Sequence, residues 1–118
     1  MTQYQLEIYQ TVAGGQPFTA WLDGLEDRQA RARIRTRLDR LALGSFGDHR
    51  ALDDGVYELR IDWGPGYRVY FARSGKVILL LLCGGDKRTQ TRDIKNGKAY
   101  LQDYQKRTEK TRAGKRSV

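Results

Sequence analysis

Arginine recurs inside a segment, ELRIDWGPGYRVYF, that is typical of two strands joined by a Gly-Pro-Gly turn. Successive side chains of a strand point to opposite faces, so Glu58 and Arg60 share one face of the first strand. On the second strand, Arg68 and Tyr70 share a face in the same way. If the strands pair as a hairpin, these four side chains gather on one exposed, concave face of a sheet. Two interpretations are open: a phosphate site, or an ordinary solvated face in which Arg60 pairs with Glu58 or Asp62.

A phosphate site is the chemistry for which arginine is best suited. Guanidinium stays protonated at any working pH and offers a planar fork of donors, so it can hold a phosphate and offset the charge that develops during phosphoryl transfer. Tyr70 adds a ring against which a base could stack. The segment GDKRTQ leaves the end of the next strand, so it is expected beside the same face, where it would place Lys87, Arg88, Thr89 and Gln90.

That next strand is predicted to lie inside the sheet. Its apolar run from Val77 to Cys83 has no polar face, so both of its sides must be covered by protein. The run is too short to span a bilayer, and its cysteine is most simply a buried small hydrophobe. Because the chain has one cysteine and one histidine, we expect no zinc or disulfide framework and predict no metal or other cofactor.

A helical hairpin and a terminal helix are predicted around this sheet. Pro17 fits the first turn of a short helix that Gly24 ends, and apolar residues at helical spacing predict a longer helix from about Glu26 to Leu43. A glycine-rich loop, residues 43–55, carries the sole histidine, His49. The predicted fold class is α+β in the order β-α-α-β-β-β-α. It has a small, antiparallel-rich, four-stranded sheet with strands near residues 4–9, 56–62, 66–73 and 76–83, and a helix over part of residues 84–104.

The net charge of +8 suggests an anionic partner such as nucleic acid, and the charge is unevenly distributed. From Lys106 to Val118 six basic residues stand against Glu109, which leaves +3 on residues 1–105. We therefore predict one folded domain, residues 1–105, followed by a basic, flexible tail, residues 106–118. No apolar signal segment opens the chain, so a cytoplasmic protein that does not contact membranes is expected.

The two arginine-containing segments together resemble a known family of bacterial proteins. The order of elements, with GVYELRIDWGPGYRVYF and LLLLCGGDKRTQTRDI, is similar to the RelE/ParE superfamily of toxins and most resembles its HigB-like branch of addiction-module killer proteins. The likeness covers about residues 4–104. It implies the toxin of a type II toxin–antitoxin system, which a helix-turn-helix antitoxin binds and silences. It also implies endoribonucleolytic cleavage of messenger RNA, commonly on the translating ribosome, with inhibition of translation and growth arrest.

The resemblance implies roles for individual residues. Arg68 matches the strand arginine that RelE-type enzymes place against the scissile phosphate, and Arg60 matches a basic position on the preceding strand. Arg88 matches a second basic residue after the last strand, with Lys87 as a close alternative. The sequence departs from RelE at Glu58, where RelE has a lysine, and it lacks the tyrosine that acts in proton transfer in RelE. The residues expected to contact the substrate are Glu58, Tyr70, Thr89, Gln90 and His49.

The expected reaction is attack of a ribose 2′-hydroxyl on the adjacent phosphorus, which requires charge stabilisation, a base and an acid but no metal. The two strand arginines could stabilise charge, but guanidinium cannot readily act as the base. The candidates for proton transfer are Lys87, Glu58, His49 and Tyr70. His49 belongs to the residue type that exchanges protons near neutral pH, although a lone loop histidine is more often a surface residue.

Two other functions stay open. The ParE branch shares the fold but inhibits DNA gyrase through protein contact, and a degenerate phage-derived remnant would only bind its antitoxin. The four clustered cations Arg60, Arg68, Lys87 and Arg88 favour the ribonuclease, since a gyrase inhibitor needs no phosphate site on its sheet. The arginine-rich longer helix could lie on ribosomal RNA or present an ordinary solvated face.

Overall fold

The computed structural model describes the backbone of residues 3–116 and the side chains of residues 3–109. Over this range the chain folds in the order β-α-α-β-β-β-β-α, which confirms the α+β class. The elements are β1 (Gln5–Ile8), α1 (Pro17–Asp23), α2 (Arg28–Ala42), β2 (His49–Ala51), β3 (Val56–Ile61), β4 (Tyr67–Ser74), β5 (Ile78–Asp86) and α3 (Gln90–Arg116), with short 3-10 turns at Asp53–Gly55 and Lys87–Thr89.

One mixed sheet joins all the described strands in the order β1-β5-β4-β3-β2. Strand β1 pairs parallel with β5, and the other neighbouring pairs are antiparallel. The prediction of four strands was wrong, because β2 forms in the segment that was predicted to be a loop. This strand has three residues, too few to show an alternating pattern, and it exists through its pairing with the edge of β3.

The helical hairpin covers one face of the sheet, as predicted. Pro17 occupies the first turn of α1 and Gly24 follows its last residue. Asp27 caps α2, since its carboxylate accepts hydrogen bonds from the backbone N–H groups of Gln29 and Ala30. The buried residues of the two helices and of this sheet face form one apolar cluster that includes Phe18, Ile34, Leu38, Leu41, Leu59, Val69 and Phe71.

Helix α3 covers the opposite face of the sheet. Its Leu101 is buried in a second apolar cluster with Val56, Tyr70, Leu80 and Leu82. Strand β5 therefore contributes to both clusters, since Leu79 and Leu81 belong to the first. This burial confirms that β5 is an interior strand. Cys83 is buried as predicted, and burial raises the pKa of its thiol to about 12.

Two glycines at the end of β5 allow close approach from both sides of the sheet. A Cβ atom at Gly84 would overlap the ring of Trp21 from α1, and one at Gly85 would overlap the carboxylate of Asp93 from α3. Helices on both faces thus press against this pair of residues. The contact fixes the path of the chain just before Lys87 and the start of α3.

Helix α3 is longer than predicted and is tied to the end of β1. The hydroxyl of Tyr9 donates to Asp103, which also accepts from Arg107. Burial and the hydrogen bond to Asp103 raise the pKa of Tyr9 to about 12, so this phenol remains a donor. The basic segment from residue 106 continues the helix to Arg116, and side chains after Glu109 lie outside the described part of the chain. The division into a domain and a tail stays a prediction.

Candidate functional site

The cross-strand register brings the predicted polar residues of the hairpin to one face. Glu58 pairs with Tyr70 and Arg60 pairs with Arg68 across β3 and β4, while Gly85 of β5 pairs with Arg68 on its other side. The prediction that the whole face is exposed was wrong. Glu58 and Tyr70 are fully buried, because α3 lies over this part of the sheet. Arg60 and Arg68, nearer the hairpin turn, remain partly exposed.

Glu58 is a buried carboxylate that gathers three donors. Its Oε1 accepts a hydrogen bond from Nε of Arg50 at 2.9 Å. Its Oε2 accepts from the hydroxyl of Tyr70 at 3.1 Å and from Nε2 of Gln90 at 2.8 Å. Burial opposes ionisation, but the hydrogen bonds from Gln90, Arg50 and Tyr70 outweigh it and hold the pKa of Glu58 below its ordinary value. Glu58 is therefore a carboxylate at neutral pH.

Tyr70 is held in its neutral form. Burial, followed by the charge and the hydrogen bond of Glu58, raises the pKa of this phenol well above its ordinary value. Because the ring is fully buried, it offers no surface against which a base could stack. The geometry gives Glu58 and Tyr70 a positioning role and leaves neither in contact with a ligand at the surface.

Arg68 is fixed from behind by this network. Its Nε lies 3.7 Å from Oε2 of Glu58, and its Nη1 donates to the carbonyl of Gly66 at 2.9 Å. Its side chain is only 13% exposed, and Nε is buried without a hydrogen-bond partner among the described residues. A buried donor without a partner is unusual in folded proteins. The guanidinium is thus held in a fixed position and retains donor capacity.

Arg68 lines an open groove of about 410 Å³, which we call the Arg68 groove. Its cationic lining residues are Arg60, Arg68 and Lys87, and its acidic ones are Asp48 and Asp62. Arg60 pairs with Asp48, with Nη2 and Oδ1 2.9 Å apart, so the interpretation that pairs Arg60 with Glu58 or Asp62 was wrong. The structure thus brings together three of the four predicted cations around one open groove.

The other residues from GDKRTQ point elsewhere. Arg88 is exposed and pairs with Asp86, with Nη2 and Oδ2 3.0 Å apart. Thr89 donates to the carboxylate of Asp93 and accepts from the backbone N–H of Asp86, so it closes the turn before α3. Gln90 supports the buried carboxylate of Glu58. These contacts position Lys87 at the groove, but they do not bring Arg88, Thr89 or Gln90 into its lining.

His49 lies on the other face of the sheet. It pairs with Leu59, whose side chain belongs to the cluster under α1 and α2. Its ring is in edge contact with Phe46 at 5.2 Å between centroids, and its Nδ1 lies 2.8 Å from the carbonyl oxygen of Gly47. The structure therefore separates His49 from the Arg68 groove.

Sequence reasoning missed two residues of the site. Arg50, in the short strand β2, pairs with Glu58 and neutralises part of its charge. Asp93, in the first turn of α3, is a second buried acid and lies against Gly85. The spacing of Asp93 after GDKRTQ was visible, but its burial depends on Gly85, and nothing in the sequence indicated the pairing of Arg50.

The fold and the groove define an α+β protein in which a buried carboxylate network positions an arginine at an open basic site. No family model matches the chain. An uncharacterized protein of Haemophilus influenzae is 49% identical over 86 residues, which cover 73% of this chain and 87% of that protein. The chain therefore belongs to the same protein family as this relative. No helix in the part of the chain that the structure describes is long and apolar enough to cross a membrane.

Proposed function

We propose that the protein is the toxin of a type II toxin–antitoxin system and acts as a metal-independent endoribonuclease. In this proposal it works in the cytoplasm, cleaves messenger RNA on the ribosome and arrests growth until a helix-turn-helix antitoxin binds it. The resemblance of residues 4–104 to HigB-like toxins supports the class. The observation that carries the proposal is Arg68, held from behind by buried Glu58 and directed into an open groove with Arg60 and Lys87.

The groove suits stabilisation of a charged phosphorane. The ribose 2′-hydroxyl gives its proton to water and its oxygen attacks the adjacent phosphorus; the O2′–P bond forms and the P–O5′ bond breaks, giving a 2′,3′-cyclic phosphate and, once the 5′-oxygen is protonated, a 5′-hydroxyl. Negative charge develops on the non-bridging oxygens, and the fixed guanidinium of Arg68, with that of Arg60 beside it, offsets it. Removing one such preorganised donor lowers catalytic rates by about 10²–10³-fold in well-studied enzymes.

Lys87 is the proton-transfer candidate that remains at the groove. Glu58 and Tyr70 are buried, and His49 lies on the opposite face of the sheet. Lys87 is exposed and lines the groove, so its ammonium can donate a proton to the departing 5′-oxygen. The ribosome would supply positioning of the substrate, which itself contributes strongly to rate.

Induced expression in cells without antitoxin tests this proposal. Messenger RNA 5′ ends are mapped for the wild type, Arg68→Ala and the matched control Arg73→Ala, which removes an exposed arginine of the same strand. We expect growth arrest and new cuts in translated regions with the wild type and Arg73→Ala, and neither with Arg68→Ala. Arrest without new cuts would indicate a ParE-like gyrase inhibitor. Absence of arrest with the wild type would indicate an inactive remnant that binds only its antitoxin.

A further inference from the structure

A second basic groove adjoins the Arg68 groove. It has a volume of about 450 Å³ and lies between α2 and the end of β3, and we call it the α2 groove. Arg33, Arg37 and Arg40 line it on the helix side, and Ile61 and Asp62 line it on the strand side. Ile61 and Asp62 also line the Arg68 groove. The two grooves therefore share these two residues at the end of β3.

The three arginines occupy one face of α2 because they recur at spacings of four and three residues. The helix buries Ile34 and Leu38 on its inner face, so this arginine face turns toward the hairpin end of β3. With a rise of 1.5 Å per residue, Arg33 and Arg40 are about 10 Å apart along the axis. Phosphates of a stacked strand recur at about 3.4 Å, so a row of this length can face about three of them.

No carboxylate forms an ion pair with these arginines within the described part of the chain. Arg37 donates to backbone carbonyls, including that of Arg60 at 2.6 Å and that of Phe46 at 3.1 Å. The guanidinium carbon of Arg33 lies 3.8 Å from the centroid of the Trp63 ring. The side chain of Arg40 makes no hydrogen bond to another described residue. The contacts of Arg33 and Arg37 thus hold these side chains without neutralising their positive charge, and the guanidinium of Arg40 can bind a ligand.

We propose that the α2 groove binds the single-stranded RNA that flanks the phosphate in the Arg68 groove. This inference rests on the proposed function, which places the phosphate there. Six cationic side chains line the two grooves, against the carboxylates of Asp48 and Asp62. A row of cations that adjoins a phosphate site fits a polyanionic strand, whose affinity comes mainly from contacts to phosphates. Asp62, at the junction, opposes the strand and weakens its binding.

Arg40 is the residue that tests this path for RNA, and Arg35 is its matched control. Both are exposed arginines of α2, but Arg35 does not line the groove. Binding is measured by fluorescence anisotropy with 2′-O-methyl RNA, which cannot be cleaved by attack of the 2′-oxygen. We expect Arg40→Ala to weaken binding of a 12-nucleotide strand about three- to tenfold and to lower its salt slope by about 0.7. A dinucleotide, which carries a single phosphate for the Arg68 groove, should bind Arg40→Ala as it binds the wild type.

Asp62→Asn tests the junction in the opposite direction. The substitution removes the opposing charge with little change in shape, so we expect about two- to fivefold tighter binding of the 12-nucleotide strand. Arg35→Ala should leave the affinity and salt slope for this strand near the wild-type values. Thermal unfolding of each variant shows that the fold is retained.

Equal effects of Arg40→Ala and Arg35→Ala on the 12-nucleotide strand would overturn the path, because they would show only a response to net charge. The inference would also be overturned if Arg40→Ala weakened binding of a polyglutamate peptide but not of the RNA, since the groove would then fit an acidic protein segment. Cleavage is measured separately, by mapping messenger RNA 5′ ends in cells that express the protein without antitoxin. If binding depends on Arg40 but the wild type cleaves no RNA, the RNA path is supported and the ribonuclease is contradicted. If the wild type cleaves RNA but binding does not depend on Arg40, the ribonuclease is supported and the RNA path is contradicted.

Discussion

A single buried carboxylate changes what the arginines of this sheet can do. On an open face Arg68 would exchange between solvent and its neighbours, as surface ion pairs do. Here Glu58 lies behind it and is itself held by Arg50, Tyr70 and Gln90. A guanidinium whose position is fixed before a ligand binds can stabilise developing charge without reorganising. Glu58, one of the candidates for proton transfer in the sequence, is therefore a positioning residue.

Replacing Glu58 with Gln tests this role. The variant leaves Arg68 and Arg50 without their shared charge, so we expect the free energy of unfolding at pH 7 to fall by about 3 kcal/mol. This value is at the lower end for a buried pair because Arg50 reaches solvent. Urea unfolding measures the change. A variant as stable as the wild type at pH 7 would contradict the network.

The difference in stability between the wild type and Glu58→Gln should depend on pH, and the direction of the change follows from the pKa of Glu58. The pKa of Glu58 is lowered by folding from an ordinary value of 4.5, so its contribution to stability is present above that value. The contribution is lost as pH falls through the lower, folded-state pKa. We expect the difference in stability between the wild type and Glu58→Gln to be largest near neutral pH and to shrink in acid. A difference that grows as the pH falls would oppose this assignment.

Tyr70→Phe separates positioning from direct contact with RNA. The substitution keeps the buried ring and removes one hydrogen bond to a carboxylate, which costs about 1.5–3 kcal/mol of stability. We expect a lower thermal midpoint but RNA cleavage within about threefold of the wild type at a temperature where both are folded, compared with the 10²–10⁴-fold expected for loss of a proton-transfer group. Activity measured at 15 °C and 25 °C, with folding checked by circular dichroism at each temperature, distinguishes these cases.

At the scale of elements, the two glycines that end β5 set how closely the helices approach the sheet. Gly84→Ala forces its new methyl group into the Trp21 ring, so we expect a loss of about 1–3 kcal/mol or more in the free energy of unfolding. The comparison is Gly97→Ala in α3. There the new methyl group would lie 3.6 Å from Cys83 and Tyr70, an ordinary contact, and alanine should stabilise the helix by about 0.5–1 kcal/mol. Denaturant unfolding of both variants should give changes of opposite sign.

Sequence patterns predicted the strands whose own residues show a recognisable pattern of apolar and polar side chains. Alternation along β3 and β4 predicted their pairing, and the apolar run of β5 predicted its interior place. Strand β2 could not be predicted in this way, because His49–Ala51 has no pattern of its own and is stabilised by the edge beside it. A residue pattern predicts a strand only when the side chains of that strand supply its stability; β2 depends instead on pairing with a neighbouring strand.

The site was predicted in part for a related reason. Alternation placed Glu58 and Tyr70 on the face with Arg68, but it could not show which part of that face α3 would cover. That depends on where Leu101 docks, which is a tertiary contact between distant parts of the chain. His49 was misplaced because a residue assigned to a loop has no predicted face, whereas β2 turns it away from the groove.

At the scale of the whole molecule, α3 closes the fold by reaching back to the first strand. Arg107 bonds both Asp103 and the backbone carbonyl of Gln10, so the contact crosses the proposed boundary between domain and tail at residue 105. We expect a chain truncated after Glu109 to have a higher thermal midpoint than one truncated after Gln105, because it keeps the contacts of Arg107 with Asp103 and Gln10. Truncation after Gln105 removes this anchor. Equal midpoints for the two truncations would instead support the boundary at residue 105.

The parallel pairing of β1 with β5 also sets an order in time. Gln5 pairs with Ile78, so the first strand to be synthesised cannot join the sheet until β5, the last of the described strands, is present. The hairpins β3–β4 and β4–β5 close short loops and can form first, whereas β1 must close a long one. Destabilising substitutions in β1 should therefore accelerate unfolding more than they slow folding. A nascent chain whose synthesis is stopped before Ile78 would lack β5, so β1 could not join the sheet.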